Sequence, residues 1–365
     1  MTMLDPHPER LSRRQAIGLL GAGAGLGLFS LGTETGDLGL LAWSQASGSS
    51  AGRLTFPKGA IIRTIVKDVP PEALATGQTL FHEHLDGEYS RTERQLKLPP
   101  PSSADITPIV NEIKTAARDG VVCIVDGGHP DMGVNVEHLR QLSTQTGVHV
   151  VASGGYYLER TYPAELLPLS EDQIAENLVR EANTKRYGAF GEIGQSPDAP
   201  DPTPQERKVF RAVGKAHVRT RLPIFTHNAY GTGPMVRRDA GLRQLDLLES
   251  VGVKPQNIAV GHCCCLDDPK AEIIKQVAKR GAFVGFDRVT LERFVSDAGR
   301  VTMILAFLEA GYGDRLLLSS DSRGQFGKTA TQFVPKLRAA GVKEEMIHSV
   351  LVDNPRRFLA FVPKT

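Results

Sequence analysis

The sequence predicts an α/β fold, a (β/α)₈ TIM barrel, and three observations predict it. Beyond residue 52, short apolar and β-branched runs alternate with amphipathic helical segments. Eight such runs can be marked, and each is apolar almost throughout, which suits strands of a parallel sheet covered on both sides. No phosphate-binding glycine fingerprint opens the first helix, so a closed barrel, typically about 250 residues, is favoured over an open dinucleotide-binding sheet.

The strands are expected over residues 79–85, 121–128, 149–157, 189–194, 223–228, 258–263, 282–288 and 316–321. Helical periodicity lies between them, over 134–147, 171–187, 203–220, 241–251, 268–280 and 301–311. Asp267-Asp268-Pro269 predicts a capped helix start with proline in the first turn, and Gly281 predicts its stop. A short run at 61–66 precedes the first barrel strand and suits a hairpin over the barrel floor. The segment 353–361 reads as a final short helix.

Composition narrows the function classes. The 365 residues are 41% hydrophobic and 23% charged with a net charge of +2, which excludes disorder, collagen and coiled coil. No basic run exceeds a pair such as Arg13-Arg14 or Arg237-Arg238, so nucleic acid is not an expected partner. Four cysteines do not make a disulfide scaffold in a chain this long. Cys123 reads as core. Cys263, Cys264 and Cys265 are consecutive, which suits neither a zinc knuckle nor ordinary bridges, because neighbouring side chains are expected to diverge. They read as core and support for the site.

The first residues predict a targeting segment over 1–46. Arg13-Arg14 precedes an apolar stretch over 16–31 that is diluted by glycines, the outline of a twin-arginine export signal. That stretch is shorter than the roughly 20 residues a spanning helix needs. Cleavage after Ala46 or Ala51 fits the small-x-small rule. The expectation is a periplasmic or secreted protein with no stable membrane insertion, and residues 47–365 forming a single barrel.

In a barrel of this kind chemistry sits where the strands end. In order, the strand ends supply His82 and His84, then Glu192, His227, His262 and Asp321. His82 and His84 are two apart, so on a strand they share a face. Imidazole and carboxylate suit zinc, manganese, iron or cobalt, and the lack of thiolate argues against a closed structural zinc site. Buried together with no cation, such a set would be costly. His138, His217 and His348 fall on helical segments and are expected at the surface. His129 follows the second strand and could line the mouth.

The run Gly77 to Leu85 (Gly-Gln-Thr-Leu-Phe-His-Glu-His-Leu) resembles the first-strand signature of the phosphotriesterase-related branch of the amidohydrolase superfamily. The likeness continues through Gly191-Glu192-Ile193-Gly194, Thr226-His227, Gly261-His262, Gly285-Phe286-Asp287-Arg288, Ser319-Ser320-Asp321 and Asn354-Pro355 with Phe358. The resemblance implies an amidohydrolase-like barrel holding two divalent metal ions. It assigns His82, His84 and Asp321 to one ion and His227 and His262 to the other, with Glu192 between them. Many members bridge the ions with a carboxylated lysine; here the strand end offers glutamate, as in the glutamate-bridged subgroup.

The resemblance also implies hydrolysis of a carboxylic ester, lactone or phosphoester by a hydroxide shared between the ions. Asp321 is the expected proton carrier. Arg288 is expected beside the substrate, as in phosphotriesterase-like lactonases, and Tyr156 and Tyr157 are expected to line the pocket for a small-molecule substrate. Family analogy suggests a homodimer. Two other readings stand beside this one. A TatD-like metal-dependent nuclease is disfavoured by Gly154-Gly155-Tyr156-Tyr157 on the third strand and by the near-neutral charge. A metal-containing protein that binds a small ligand without turnover is the other.

Overall fold

The computed structural model describes residues 54–87 and 105–364. The export signal expected over residues 1–46, with its two cleavage positions, lies outside the described residues. A small hairpin comes first: β1 (Ile62–Arg63) pairs antiparallel with β2 (Asp68–Val69). The barrel follows as β3 (Gln78–Glu83), β4 (Val121–Asp126), β5 (His149–Val151), β6 (Ser153–Gly154), β7 (Ala189–Gly194), β8 (Ile224–His227), β9 (Ile258–Val260), β10 (Phe283–Phe286) and β11 (Leu316–Leu318). β5 and β6 are two halves of one staff, interrupted at Ala152, so there are eight positions and every ladder between them is parallel. This is the expected (β/α)₈ barrel.

Alternation along each strand builds two cores. Phe81, Cys123, Val125, Val151, Ala189, Phe225, Ala259, Phe283 and Leu317 fill the lumen. The hairpin residues Ile62 and Val69 plug that core from one end, with Phe358 and Leu359 of the terminal helix Asn354–Leu359. The outer core contains Leu80, Ile124, Val150, Phe190, Ile224, Ile258 and Val284 together with the helices' apolar faces. Of these helices, Glu171–Thr184 and Pro204–Thr220 open with capping boxes, Ser170 with Gln173 and Thr203 with Glu206.

Closure of the barrel depends on Glu83. The last and first strands meet through the Asp321 N–H to the His82 carbonyl at 3.2 Å and the His84 N–H to the Ser322 carbonyl at 2.9 Å. Between them the buried Glu83 carboxylate accepts from the Ser319 hydroxyl, the Ser320 N–H and hydroxyl, and the Ser322 N–H and hydroxyl, at 2.8 to 3.0 Å. Burial pushes its pKa up, and these donors pull against that shift. The serine run 319–320 is therefore a socket for an acid on the opposite edge.

Several boundaries differ from the sequence expectation for local reasons. The helix expected over 268–280 begins at Glu272. Ala271 takes φ 56°, which breaks helical continuity, although Asp268 still accepts from the Ile273 N–H at 2.8 Å. The helix Thr107–Arg118 follows residues 88–104, and the periodicity given above did not mark it. His217, expected at the surface, is buried, and its Nδ1 lies 2.6 Å from the Leu222 carbonyl. It faces the sheet from the inner side of its helix. His138 is also largely buried, beside Asp86.

Replacing Glu83 with alanine leaves the Ser320 and Ser322 N–H groups buried without an acceptor. The expected loss is about 3 kcal/mol of stability, read as a lowered urea midpoint; a loss under about 1 kcal/mol would show that closure rests elsewhere.

Candidate metal centre

The strand ends bring all six expected residues into one buried cluster at the mouth of the barrel. Local irregularity aims them. The β3–β4 ladder shifts register between Leu80 and Glu83, and the β7–β8 ladder between Phe190 and Ile193. A register shift re-aims side chains, and these two flank His82 and Glu192. His262 and Asp321 sit at the ends of their strands with φ 55° and 47°, the left-handed region that non-glycine residues seldom adopt outside functional sites.

Glu192 is the centre of the cluster. Its Oε2 lies 2.9 Å from His227 Nδ1, 3.2 Å from His262 Nε2 and 3.4 Å from His82 Nε2. Its Oε1 lies 3.6 Å from His84 Nε2. Asp321 Oδ1 approaches His84 Nε2 at 2.7 Å and His82 Nε2 at 3.8 Å. The His82 and His262 rings stack at 5.3 Å, and His227 meets His262 edge-on at 4.5 Å.

Asp287 is a functional residue whose role the sequence reading missed. Fully buried just past β10, it places Oδ2 3.0 Å from His82 Nδ1 and Oδ1 3.1 Å from His262 Nδ1, and Oδ1 also accepts from the His262 N–H at 2.8 Å. One carboxylate thus orients two imidazoles and leaves the Nε2 of each directed to Glu192. Its trace in the sequence is an acid directly after an apolar strand run, which by itself does not name the distant histidines it supports.

Electrostatics follow from this packing. Burial pushes Glu192 upward, but His227 and His82 outweigh it and hold the carboxyl well below its ordinary range. Asp321 behaves alike, with Arg288 and His84 overcoming its burial. Burial lowers His227 to about 4, whereas His262, though desolvated and repelled by Arg288, is raised to about 10 by Asp287 and Glu192. His82 is raised as well, by Glu192, Asp287 and Asp321 against its burial, so the surrounding carboxylates favour positive charge at this point.

The donor set fits a divalent metal. Three groups of buried side chains have ligand atoms close enough for one ion: His82, His84 and Glu192; Glu192, His227 and His262; and His82, His262 and Asp287. His82 Nε2 is buried with no hydrogen-bond partner. All donors are nitrogen or oxygen, and no cysteine joins these groups among the described residues.

The other expected residues divide. The Arg288 Nε donates to Asp321 Oδ2 at 2.6 Å, so the arginine lies against the cluster. The Tyr157 hydroxyl sits 3.4 Å from both ring nitrogens of His227, inside the mouth. Tyr156, expected to line the same pocket, does not. Past the bend at Gly155, Tyr156 packs on Tyr162 at 6.0 Å beside a separate cavity of about 720 Å³ that also takes in Arg160, Glu181 and Lys185. His129 is fully buried, 3.5 Å from Asp131.

The cysteine turn also meets the site. The Cys264 Sγ accepts from the Arg288 N–H at 3.2 Å and lies 3.8 Å from Asp287 Oδ1. The expected role as core and support is what the geometry gives for Cys264. The expected divergence of neighbouring sulfurs is not: a 3₁₀ turn over Cys263–Cys265 brings the sulfurs of Cys264 and Cys265 to 4.0 Å.

A parallel barrel carrying imidazoles and carboxylates at its strand ends defines a metal-dependent hydrolase. Residues 64–359 match the phosphotriesterase family, and the chain belongs to that family. It is 31% identical over 299 residues to the phosphotriesterase homology protein of Escherichia coli K12, covering 78% of this chain and 98% of that one. It is 28% identical over 312 residues to the aryldialkylphosphatase of Saccharolobus solfataricus, covering 79% and 96%. Among solved structures, a resiniferatoxin-binding protein from Rhodobacter sphaeroides superposes with a TM-score of 0.70 at 29% identity, covering 82% of this chain and 94% of that one.

Asp287→Asn keeps the shape but loses one of the two carboxylate acceptors. The expected outcome is metal affinity lowered about 10- to 100-fold in chelator competition; unchanged affinity would assign Asp287 a packing role only.

Proposed function

We propose that this chain is an exported dinuclear hydrolase that cleaves a carboxylic ester, lactone or phosphoester. The observation that carries the reading is the convergence of four imidazoles on one buried carboxylate, with Glu192 Oε1 toward His84 and Oε2 toward His82, His227 and His262. With Asp321 Oδ1 2.7 Å from His84 and 3.8 Å from His82, the arrangement suits His82, His84 and Asp321 as ligands of one ion and His227 and His262 as ligands of the other, with Glu192 between. Zinc is the metal the donor set favours, with manganese, iron or cobalt also compatible. When bound, such ions supply a water of lowered pKa and a Lewis acid for the carbonyl or phosphoryl oxygen.

The chain's own groups perform the rest. Asp321 is held ionised by Arg288 and His84 and can take a proton from the attacking water and deliver it to the leaving group. Arg288 Nη1 is buried without a hydrogen-bond partner, so it can donate to a substrate oxygen. The Tyr157 hydroxyl, directly over His227, can orient a carbonyl or phosphoryl oxygen. The relation to an aryldialkylphosphatase supports the phosphoester among the three substrate classes. Family membership and the third-strand residues speak against the nuclease reading. The likeness to a resiniferatoxin-binding protein favours, as second reading, a chain that binds a small ligand without turnover.

A panel of aryl esters, lactones and phosphotriesters separates the two. Turnover of one class supports the hydrolase, and Asp321→Asn is expected to lower it by about 100-fold or more. Binding without turnover across a broad panel, by the metal-loaded protein, would favour the second reading. Export has its own check. With Arg13 and Arg14 both changed to lysine, the chain is expected to stay in the cytoplasmic fraction, and unaltered fractionation would remove the twin-arginine assignment.

A further inference from the structure

The cysteine turn has a chemistry that hydrolysis does not use. We propose that Cys264 and Cys265 form a modification site, a vicinal dithiol that peroxide closes to a disulfide, and that closure withdraws support from Arg288. The effect on turnover rests on the hydrolase reading; the modification itself does not.

Geometry selects this pair. The two sulfurs lie 4.0 Å apart within the 3₁₀ turn, so closing the gap to the roughly 2.05 Å of an S–S bond takes a local movement of one turn. Cys263 turns away, with its thiol donating to the Val260 carbonyl at 3.3 Å. The turn is held from outside by Arg300, fully buried, whose Nε donates to the Cys264 carbonyl at 3.3 Å. Cys265 retains 4% exposure where Cys264 has none, which makes it the sulfur a small oxidant reaches first.

The chemistry balances with hydrogen peroxide as oxidant. The Cys265 thiol attacks one peroxide oxygen, the O–O bond breaks, and sulfenic acid and one water form. The Cys264 thiol then attacks the sulfenic sulfur; the S–S bond forms and a second water leaves with the hydroxyl and the thiol proton. Both sulfurs are oxidised by one electron each and the peroxide is reduced by two. Adjacent Cα atoms are 3.8 Å apart, below the usual disulfide span of about 4.4 to 6.8 Å, so the bond is strained and easily reduced. Strained disulfides are the labile and regulatory ones.

The consequence for the site runs through one hydrogen bond. Cys264 Sγ accepts from the Arg288 N–H at 3.2 Å, and the Arg288 Nε holds Asp321 at 2.6 Å. Drawing the sulfur toward Cys265 removes the acceptor behind Arg288 and loosens the arginine that fixes Asp321.

The test treats the full chain with stoichiometric hydrogen peroxide and reads its intact mass. Loss of two hydrogens, mapped to Cys264–Cys265 by fragmentation and reversed by dithiothreitol, is the expected result. Cys263→Ser should still close and Cys265→Ser should not. Oxygen addition without hydrogen loss, a bond involving Cys263, or no change would overturn the proposal, and none of these readings needs a substrate. Turnover of the panel substrate is expected to fall about tenfold on closure and recover with dithiothreitol. Closure with unaltered turnover would overturn the link to Arg288 while leaving the hydrolase reading intact.

Discussion

Everything at the mouth of this barrel depends on one buried carboxylate surrounded by imidazoles. Glu192 lies within 3.4 Å of His227, His262 and His82 and 3.6 Å of His84, and all five side chains are buried. Charge of one sign in such a place needs its opposite nearby. Two neighbouring imidazoles show how strongly this setting acts on charge, with His262 raised to about 10 by Asp287 and Glu192 and His227 lowered to about 4 by burial. Divalent ions satisfy the same demand more fully, and they turn a structural cost into a means of activating water.

The rest of the architecture serves that placement. Glu83 joins the last strand to the first through three serines, so the edge that carries Asp321 stays in register with the edge that carries His82 and His84. Asp287 fixes two imidazoles from behind. Hairpin and terminal helix fill the opposite end of the lumen, leaving the strand ends of the mouth for polar groups. Each of these contacts joins residues far apart in the chain, so the site exists only when the barrel is closed.

Much of this was legible in the sequence because barrels write their period plainly. Continuous apolar runs gave the strands, and histidines and carboxylates at five of the eight strand ends gave the metal-type cluster. What was lost depended on direction or on distant partners. Tyr156 and Tyr157 look equivalent in sequence, yet beyond the strand's end, past the bend at Gly155, Tyr157 reaches the mouth and Tyr156 a separate cavity. His217 reads as a polar residue on a helix, and only the packed structure shows it turned inward to the Leu222 carbonyl. The sulfurs of Cys264 and Cys265 converge because a 3₁₀ turn, not a strand continuation, follows His262. Asp287 was invisible as a support because its two histidine partners are 205 and 25 residues away.

The central claim is that the cluster is a metal centre. The most direct measurement is elemental analysis of the protein purified without chelator. About two equivalents of divalent metal per chain is the predicted result. Less than about half an equivalent, even after metal is added back, would contradict it, and the histidines and acids at the mouth would then have to be explained by protons alone.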